Sequence, residues 1–156
     1  MQLSKSDIAI SIERLRDDVD YYGTFGKQFL SNSDVGALLS NPREFRVSRP
    51  DNQAFAKGRY FHQSLLEPEK LKDWEFVDSY SRNTNVYKQA VAESGKEVLM
   101  LNKEKEEMDA LVEIMTSNFE LYEQMYLNGN EFEVPGVKQF NGVWWKGKAD
   151  IISNDC

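Results

Sequence analysis

Cysteine and histidine are almost absent from this sequence of 156 residues, which contains one of each. The cysteine is Cys156, so no disulfide can form within the chain. The same count excludes a cysteine-based zinc site and an iron–sulfur cluster within the chain. The histidine is His62. The sequence also lacks the phosphate-loop, H-E-x-x-H and G-x-S-x-G motifs, so nothing points to those enzyme classes.

Long apolar stretches are missing as well. No stretch approaches the roughly 18 apolar residues that span a bilayer, and residues 1–7 contain no apolar segment typical of a secretory signal. We therefore expect a cytoplasmic protein with no membrane partner. The composition, 40% hydrophobic and 29% charged residues, is that of a globular protein, and the length predicts a single domain over residues 1–156.

An excess of positive charge is also absent, since the formal net charge is −7. This charge argues against a protein that coats nucleic acid non-specifically, because such proteins are basic. It does not exclude an enzyme that holds DNA in a local groove, because acidic metal ligands contribute to the negative sum.

Helical periodicity dominates residues 1–128. Apolar residues at steps of three and four predict helices, and Ser31, Asn102 and the Asn41-Pro42 pair are typical of helix boundaries. The predicted helices cover residues 8–22, a segment from about 33 to 39 in which Val35, Leu38 and Leu39 face the core, and residues 53–66, 84–93 and 102–126.

Strand patterns are concentrated at residues 131–152. Residues 131–134, 137–140 and 143–152 are candidate strands of a β-meander, and Asn141-Gly142 is typical of a type I′ hairpin turn. Shorter strands are indicated near residues 74–77 and 98–101. We expect an α/β fold with a short mixed sheet flanked by helices. Because Ile151 and Ile152 favour a further neighbouring strand, the sheet is expected to be incomplete at its C-terminal end.

Three residues are candidates for chemistry. His62 lies on the predicted helix 53–66, and a lone helical histidine is most often structural or exposed. Asp150 lies in an apolar strand, where a carboxylate is costly to bury unless it binds a partner such as a metal ion; the alternative is a strand-end residue facing water. Glu133 alternates with its apolar neighbours, and either it or Glu131 could be functional or merely exposed to solvent.

Three segments together resemble the PD-(D/E)XK nuclease superfamily, specifically its RecB-like phage exonuclease branch of the exodeoxyribonuclease VIII (RecE) type. The segment LSNSD at residues 30–34, followed by NPREF at 41–45, is similar to the first motif of that branch. The segment GRYFHQSLLEPE at 58–69 is similar to its histidine-bearing helix. The segment GKADII at 147–152 is similar to its aspartate-bearing strand. The three segments occur in the family's order and span most of residues 28–152.

The resemblance implies a restriction-endonuclease-like fold and a DNA exonuclease that hydrolyses phosphodiester bonds with Mg²⁺ or Mn²⁺. Asp150 would be a direct metal ligand, His62 a second ligand, and Glu133 an additional catalytic acid. DNA would be the partner, and the resemblance leaves open a homo-oligomer or a recombination partner protein. Arg43, Arg46, Arg49, Lys57 and Arg59 cluster near the His62 segment and could contact phosphates, or simply be solvated.

One departure from the family pattern is important. The family's next motif is Asp/Glu-x-Lys on the strand after the aspartate strand, and the sequence reaches Cys156 before that motif. We therefore expect this chain to be the N-terminal part of a nuclease domain that is catalytically incomplete alone. Two alternatives are a non-catalytic DNA- or protein-binding relative, and a helical interaction protein with a β-hairpin.

Overall fold

The computed structural model describes residues 3–48, 50–126 and 129–153. The chain forms two compact units. Residues 1–48 and 129–156 form the first, called here the hairpin unit, and residues 49–128 form the second, called here the helical unit. The single-domain assignment for residues 1–156 stays a prediction. No helix within the described residues is both long and apolar enough to cross a membrane.

Helices and strands are both present in the described residues. The helices are α1 (Lys5–Arg14), α2 (Asp18–Tyr22), α3 (Asn32–Ser40), α4 (Gln53–Leu66), α5 (Asn85–Ser94), α6 (Asn102–Ser117) and α7 (Phe119–Tyr126). Short 3₁₀ turns occupy Gly26–Gln28, Pro42–Glu44 and Pro68–Asp73. The strands are β1 (Phe76–Val77), β2 (Met100–Leu101), β3 (Glu131–Phe140) and β4 (Val143–Ile152). The α/β expectation is therefore confirmed.

The strands form two small sheets. In the helical unit β1 pairs with β2 in parallel, and in the hairpin unit β3 pairs with β4 antiparallel. The prediction of one mixed sheet is therefore wrong for the described part of the chain, because the two-residue strands β1 and β2 pair with each other. The predicted short strands at 74–77 and 98–101 are confirmed in place, although each is shorter than its candidate segment.

The C-terminal strands form a hairpin rather than a three-stranded meander. Candidate strands 131–134 and 137–140 merge into β3, which continues through Pro135. Proline is tolerated there because β3 pairs only with β4 among the described strands, so Pro135 lies on an edge strand. The predicted turn is confirmed: Asn141 and Gly142 have φ of 49° and 78°, as a type I′ turn requires.

The core of the hairpin unit joins its helices to the hairpin. Leu15, Tyr21, Phe29 and Trp144 pack together in the interior. Leu30 extends this contact, because its backbone N–H donates to the Trp144 carbonyl at 2.9 Å and its carbonyl accepts from Lys146 N at 2.8 Å. The residues that lead into α3 are thereby held beside β4.

The helix predicted over residues 8–22 is two helices. Asp17 has an extended backbone, and its side chain accepts from the N–H groups of Val19 and Asp20, so it caps α2 and ends the first periodic segment. As a result Val19 is 82% exposed rather than buried. The prediction that Leu38 and Leu39 face the core is also wrong, because Leu39 is 83% exposed and Leu38 is exposed as well.

Capping explains most boundaries in the helical unit. Asn52 caps α4 and Thr84 caps α5, and Gly95 ends α5 in the left-handed conformation. The long helix predicted over residues 102–126 is instead interrupted at Asn118. The extended backbone of Asn118 separates α6 from α7, and its side chain accepts from Leu121 N.

The start of α6 depends on a buried ion pair. Asn102 is the first helical residue rather than the predicted cap, and the Glu104 carboxylate accepts from the Leu101 N–H at 3.0 Å. Arg82 binds the same carboxylate at 2.6 and 2.8 Å. Desolvation acts to raise the pKa of Glu104, but the hydrogen bonds from Arg82 and Leu101 outweigh it, so this pKa is lowered.

Replacing Glu104 by alanine should destabilise the protein by about 2 kcal/mol at neutral pH, because the partly buried Arg82 would lose its carboxylate partner. Because the folded-state pKa of Glu104 is lowered, this stability is present above pH 4.5, the ordinary value, and is lost on acidification. Urea unfolding of Glu104→Ala at several pH values measures it. The exposed Glu106→Ala is the matched control, and equal losses in both variants at neutral pH would contradict the assignment.

Candidate functional site

One face of β4 carries the candidate site. Trp144 is buried in the core of the hairpin unit, and successive side chains of a strand alternate between faces. Lys146, Lys148 and Asp150 therefore share the face of Trp144. Lys146 and Lys148 contact α2 from this face. The strand therefore places two lysines and one carboxylate on the same surface.

Lys146 is held by the backbone and ring of Tyr21. Its ammonium donates to the Tyr21 carbonyl oxygen and lies 4.1 Å from the centre of the Tyr21 ring. Gly26 permits this approach, because a Cβ there would overlap the Tyr21 carbonyl and lie 2.6 Å from Lys146 Nζ. Burial lowers the pKa of Lys146, and the charges of Arg46, Lys148 and Lys27 lower it further against the opposing effect of Asp34.

Lys148 is held between two carboxylates. Its side chain is 9% exposed, and its ammonium lies 2.8 Å from Asp18 Oδ1 and 3.6 Å from Glu133 Oε2. Desolvation acts to lower the pKa of Lys148, but Asp18 and Glu133 outweigh it and the pKa is raised. Lys148 is therefore a protonated bridge between α2 and β3.

Glu133 and Asp150 lie opposite each other on the hairpin. The register pairs Phe132 with Ile151 and Val134 with Ala149, so these two acids lie between the flanking pairs. Glu133 has a φ of +52°, a conformation uncommon outside glycine. The hairpin thus brings together two of the three candidate catalytic residues. Glu131, the alternative to Glu133, is exposed at the start of β3.

The Asp150 carboxylate faces water. The residue is exposed, and it makes no side-chain hydrogen bond or ion pair with the part of the chain that the structure describes. The cost of burying a charge therefore gives no argument for a metal here, and the water-facing alternative is the one observed. An exposed carboxylate without a competing cation is nevertheless free to bind one.

A basic cavity of about 610 Å³ adjoins this face of β4. Its lining includes four basic side chains and one carboxylate. The basic residues are Lys27, Arg46, Lys146 and Lys148, and the carboxylate is that of Asp34. The protein as a whole has a net charge of −7, so positive charge is concentrated here. Because mutual repulsion contributes to the lowered pKa of Lys146, a bound anion would relieve an existing cost.

The N-terminus of α3 forms another wall of the cavity. Ser31 and Asp34 form a reciprocal capping box, and Arg46 pairs with Asp34 at 3.3 Å while donating to the Phe29 carbonyl at 3.1 Å. These contacts hold Arg46, which has a φ of +57°, at the cavity. Its predicted role in binding nucleic acid stays a prediction, but its position is suitable for an anion.

His62 belongs to the helical unit and lies on α4 as predicted. It is half-buried, and one of its ring nitrogens lies within 4.8 Å of a carboxylate oxygen of Glu67, the residue that ends α4. Glu67 itself pairs with Lys70 at 2.6 Å. The role of His62 as a metal ligand stays a prediction.

The remaining predicted phosphate contacts are divided between the two units. Arg43 is exposed in the 3₁₀ turn Pro42–Glu44 of the hairpin unit. In the helical unit Lys57 pairs with Glu107 at 2.7 Å and Arg59 with Asp51 at 2.5 Å. Carboxylates therefore already compensate both charges. Arg49 lies outside the described residues, as does Cys156.

Sequence reasoning missed Lys27 and Lys146 as contributors to the site. The alternation of Lys146, Lys148 and Asp150 was a usable signal, because three polar side chains at every second position must share one face of a strand. The contribution of Lys27 depends on the cavity and has no comparable sequence pattern.

Comparisons with protein-family models, with curated proteins and with solved structures give no match for this chain.

Replacing Gly26 by alanine should destabilise the protein by about 2 kcal/mol, because the added methyl group would overlap the backbone carbonyl of Tyr21 and lie 2.6 Å from Lys146 Nζ. Gly36 is the matched control in the same unit: it lies in α3 with open space around it, so Gly36→Ala should be neutral or stabilising by up to about 1 kcal/mol. Thermal unfolding of both variants measures the difference. Equal melting temperatures would contradict the close approach of Gly26 to Tyr21 and Lys146.

Proposed function

We propose that this chain contributes to a divalent-metal-dependent DNA nuclease of the PD-(D/E)XK superfamily, in its RecB-like phage exonuclease branch. The observation that carries the proposal is one face of the β3–β4 hairpin. There Asp150 follows Lys148 on β4, and Lys148 both lies 3.6 Å from Glu133 and lines a cavity with four basic side chains. Phosphodiester hydrolysis needs both parts, because carboxylates bind the metal and cations hold the phosphates. The sequence motifs at residues 30–45, 58–69 and 147–152 support the same family.

The proposal gives each residue of this face a role. Asp150 is a direct metal ligand and Glu133 an accessory acid, in keeping with the preference of Mg²⁺ and Mn²⁺ for oxygen ligands. The bound metal would supply a water of lowered pKa and neutralise charge on the phosphate. Lys146 and Arg46 hold a phosphate at the cavity, while Lys148 fixes Glu133 beside Asp150.

The family resemblance adds two further elements to the proposal. It assigns His62 as a second metal ligand, and it places the mixed α/β architecture in the restriction-endonuclease-like class. The Asp/Glu-x-Lys motif that follows in the family would supply the remaining acid and the lysine that stabilises the transition state.

A second candidate function is DNA binding without catalysis. The observation that favours it is the basic cavity itself, because cations that contact phosphates bind DNA whether or not a metal is present. The two candidates differ in their requirement for Asp150. Binding through the cavity alone would weaken as salt is added and would not depend on that carboxylate.

The proposed metal site is tested by titrating Asp150→Asn with Mn²⁺. Binding is measured by calorimetry or from the electron paramagnetic resonance signal of free Mn²⁺. Removing a ligand should weaken Mn²⁺ binding by about tenfold or more. Asp78→Asn is the matched control, because Asp78 is also exposed and contacts no other charged group in the described residues.

Equal Mn²⁺ affinities for the two variants and the unchanged chain would refute Asp150 as a metal ligand. If salt-sensitive DNA binding persisted in that case, the non-catalytic function would replace the nuclease proposal.

A further inference from the structure

The helical unit contains a second cavity of about 610 Å³, which the proposed metal chemistry does not use. It lies between α4, residues 70–75 and residues 96–100. This volume is within the range of small-molecule sites in proteins. Its apolar wall is formed by Trp74, Val98, Leu99 and Met100.

The lining of this cavity has a small excess of negative charge. Three basic and four acidic side chains line it, and each basic side chain already has a carboxylate partner: Arg59 with Asp51 at 2.5 Å, Lys96 with Glu75 at 2.8 Å, and Lys70 with Glu67 at 2.6 Å. A phosphate would therefore find no uncompensated cation here. The cavity favours a group without negative charge, in contrast to the basic cavity of the hairpin unit.

Trp74 gives the cavity a rigid aromatic surface. Its ring stacks on Phe76 at 6.3 Å with 17° between the planes, and meets Tyr60 edge-on at 5.1 Å. Of these three rings only Trp74 lines the cavity. The other two therefore fix its orientation from outside. The guanidinium of Arg59 lies 5.7 Å from the centre of the Trp74 ring, and this side chain is 48% exposed, so a planar ligand that stacks on the indole would move Arg59 aside and leave the other two rings in place. Stacking on an aromatic side chain is favourable for every nucleobase.

Gln63 adds hydrogen-bonding groups of defined orientation. Gln63 lines the cavity, and its Oε1 accepts from Trp74 Nε1 at 2.8 Å, so the amide nitrogen is the group left to donate. That nitrogen makes no hydrogen bond with the described residues. A heterocycle that stacks on Trp74 can present a ring nitrogen or carbonyl to this free donor.

We propose that this cavity binds a nucleobase, with its face on Trp74, its edge toward Gln63, and its sugar and phosphate outside. A planar group without negative charge and with acceptors at its edge fits the compensated cations, the flat indole and the free amide donor together. The base comes from an unpaired stretch of DNA or from a free nucleoside. The choice of nucleobases over other heterocycles rests on the proposed nuclease function.

The test is a ligand titration of the 156-residue chain, monitored through the NMR signals of its tryptophan indole N–H groups. There are three tryptophans, and Trp74→Phe assigns the signal of Trp74. The ligands are deoxyadenosine, a single-stranded oligodeoxyadenylate and an abasic oligonucleotide of equal length. Each is titrated up to a final concentration of about 10 mM, counted per nucleoside or per abasic sugar, because a single base binds weakly. EDTA is present throughout, so loss of the proposed metal site cannot affect the result.

We expect deoxyadenosine to shift the Trp74 signal selectively, with the signals of Trp144 and Trp145 unchanged. Gln63→Leu should raise the Kd by roughly five- to tenfold through loss of one hydrogen bond. Gln139→Leu is the matched control, because Gln139 is an exposed glutamine of β3, and it should leave the Kd unchanged. Stronger binding of the oligodeoxyadenylate than of the nucleoside would identify DNA as the source, and the reverse would identify the free nucleoside.

Three results would overturn the proposal. They are no shift of the Trp74 signal with either base-containing ligand, an equal response to the abasic oligonucleotide, and a Kd unaffected by Gln63→Leu. None of them bears on metal binding at Asp150, so the nuclease proposal is judged separately.

Discussion

The burial of Trp144 is the constraint on which the candidate site depends. Because this side chain packs against Leu15 and Tyr21, it fixes both the register of the hairpin and which side chains of β4 face the core. A slip of one residue would move every side chain of the strand to the other face. Because Trp144 is buried in the core, Lys146, Lys148 and Asp150 lie on the same face of β4 as Trp144. A single core contact therefore determines which side chains form the candidate site.

Charge is distributed unevenly over this protein, and the cavities of the two units differ in their charge. The negative sum of −7 coexists with a cavity in the hairpin unit where basic side chains outnumber acidic ones four to one. The cavity of the helical unit has compensated charges and an aromatic wall instead. The first cavity is proposed to bind a phosphate and the second a nucleobase, and each proposal depends only on the residues of its own unit.

Local structure was largely predictable from the sequence, whereas long-range structure was not. The serine cap of α3 and the Asn141-Gly142 turn act through neighbouring residues, and the structure confirms both. The breaks at Asp17 and Asn118 were missed because apolar periodicity continues across them while their side chains cap new helices. The contact of Lys146 with Tyr21, 125 residues away, was unpredictable, although the alternation along β4 does indicate that Lys146 shares a face with Asp150. The meeting of Glu133 and Asp150 required the observed hairpin register.

The most direct test of the account is to map bound Mn²⁺ by the broadening of backbone amide signals, since a paramagnetic ion broadens the signals of nearby nuclei. At low Mn²⁺ concentration the account predicts that residues 131–134 and 148–152 broaden first, around Glu133 and Asp150. Simultaneous broadening of His62 would support its assignment as a further ligand. Broadening confined to the acidic residues 104–109 of α6, or spread evenly over the protein, would contradict the proposed metal site.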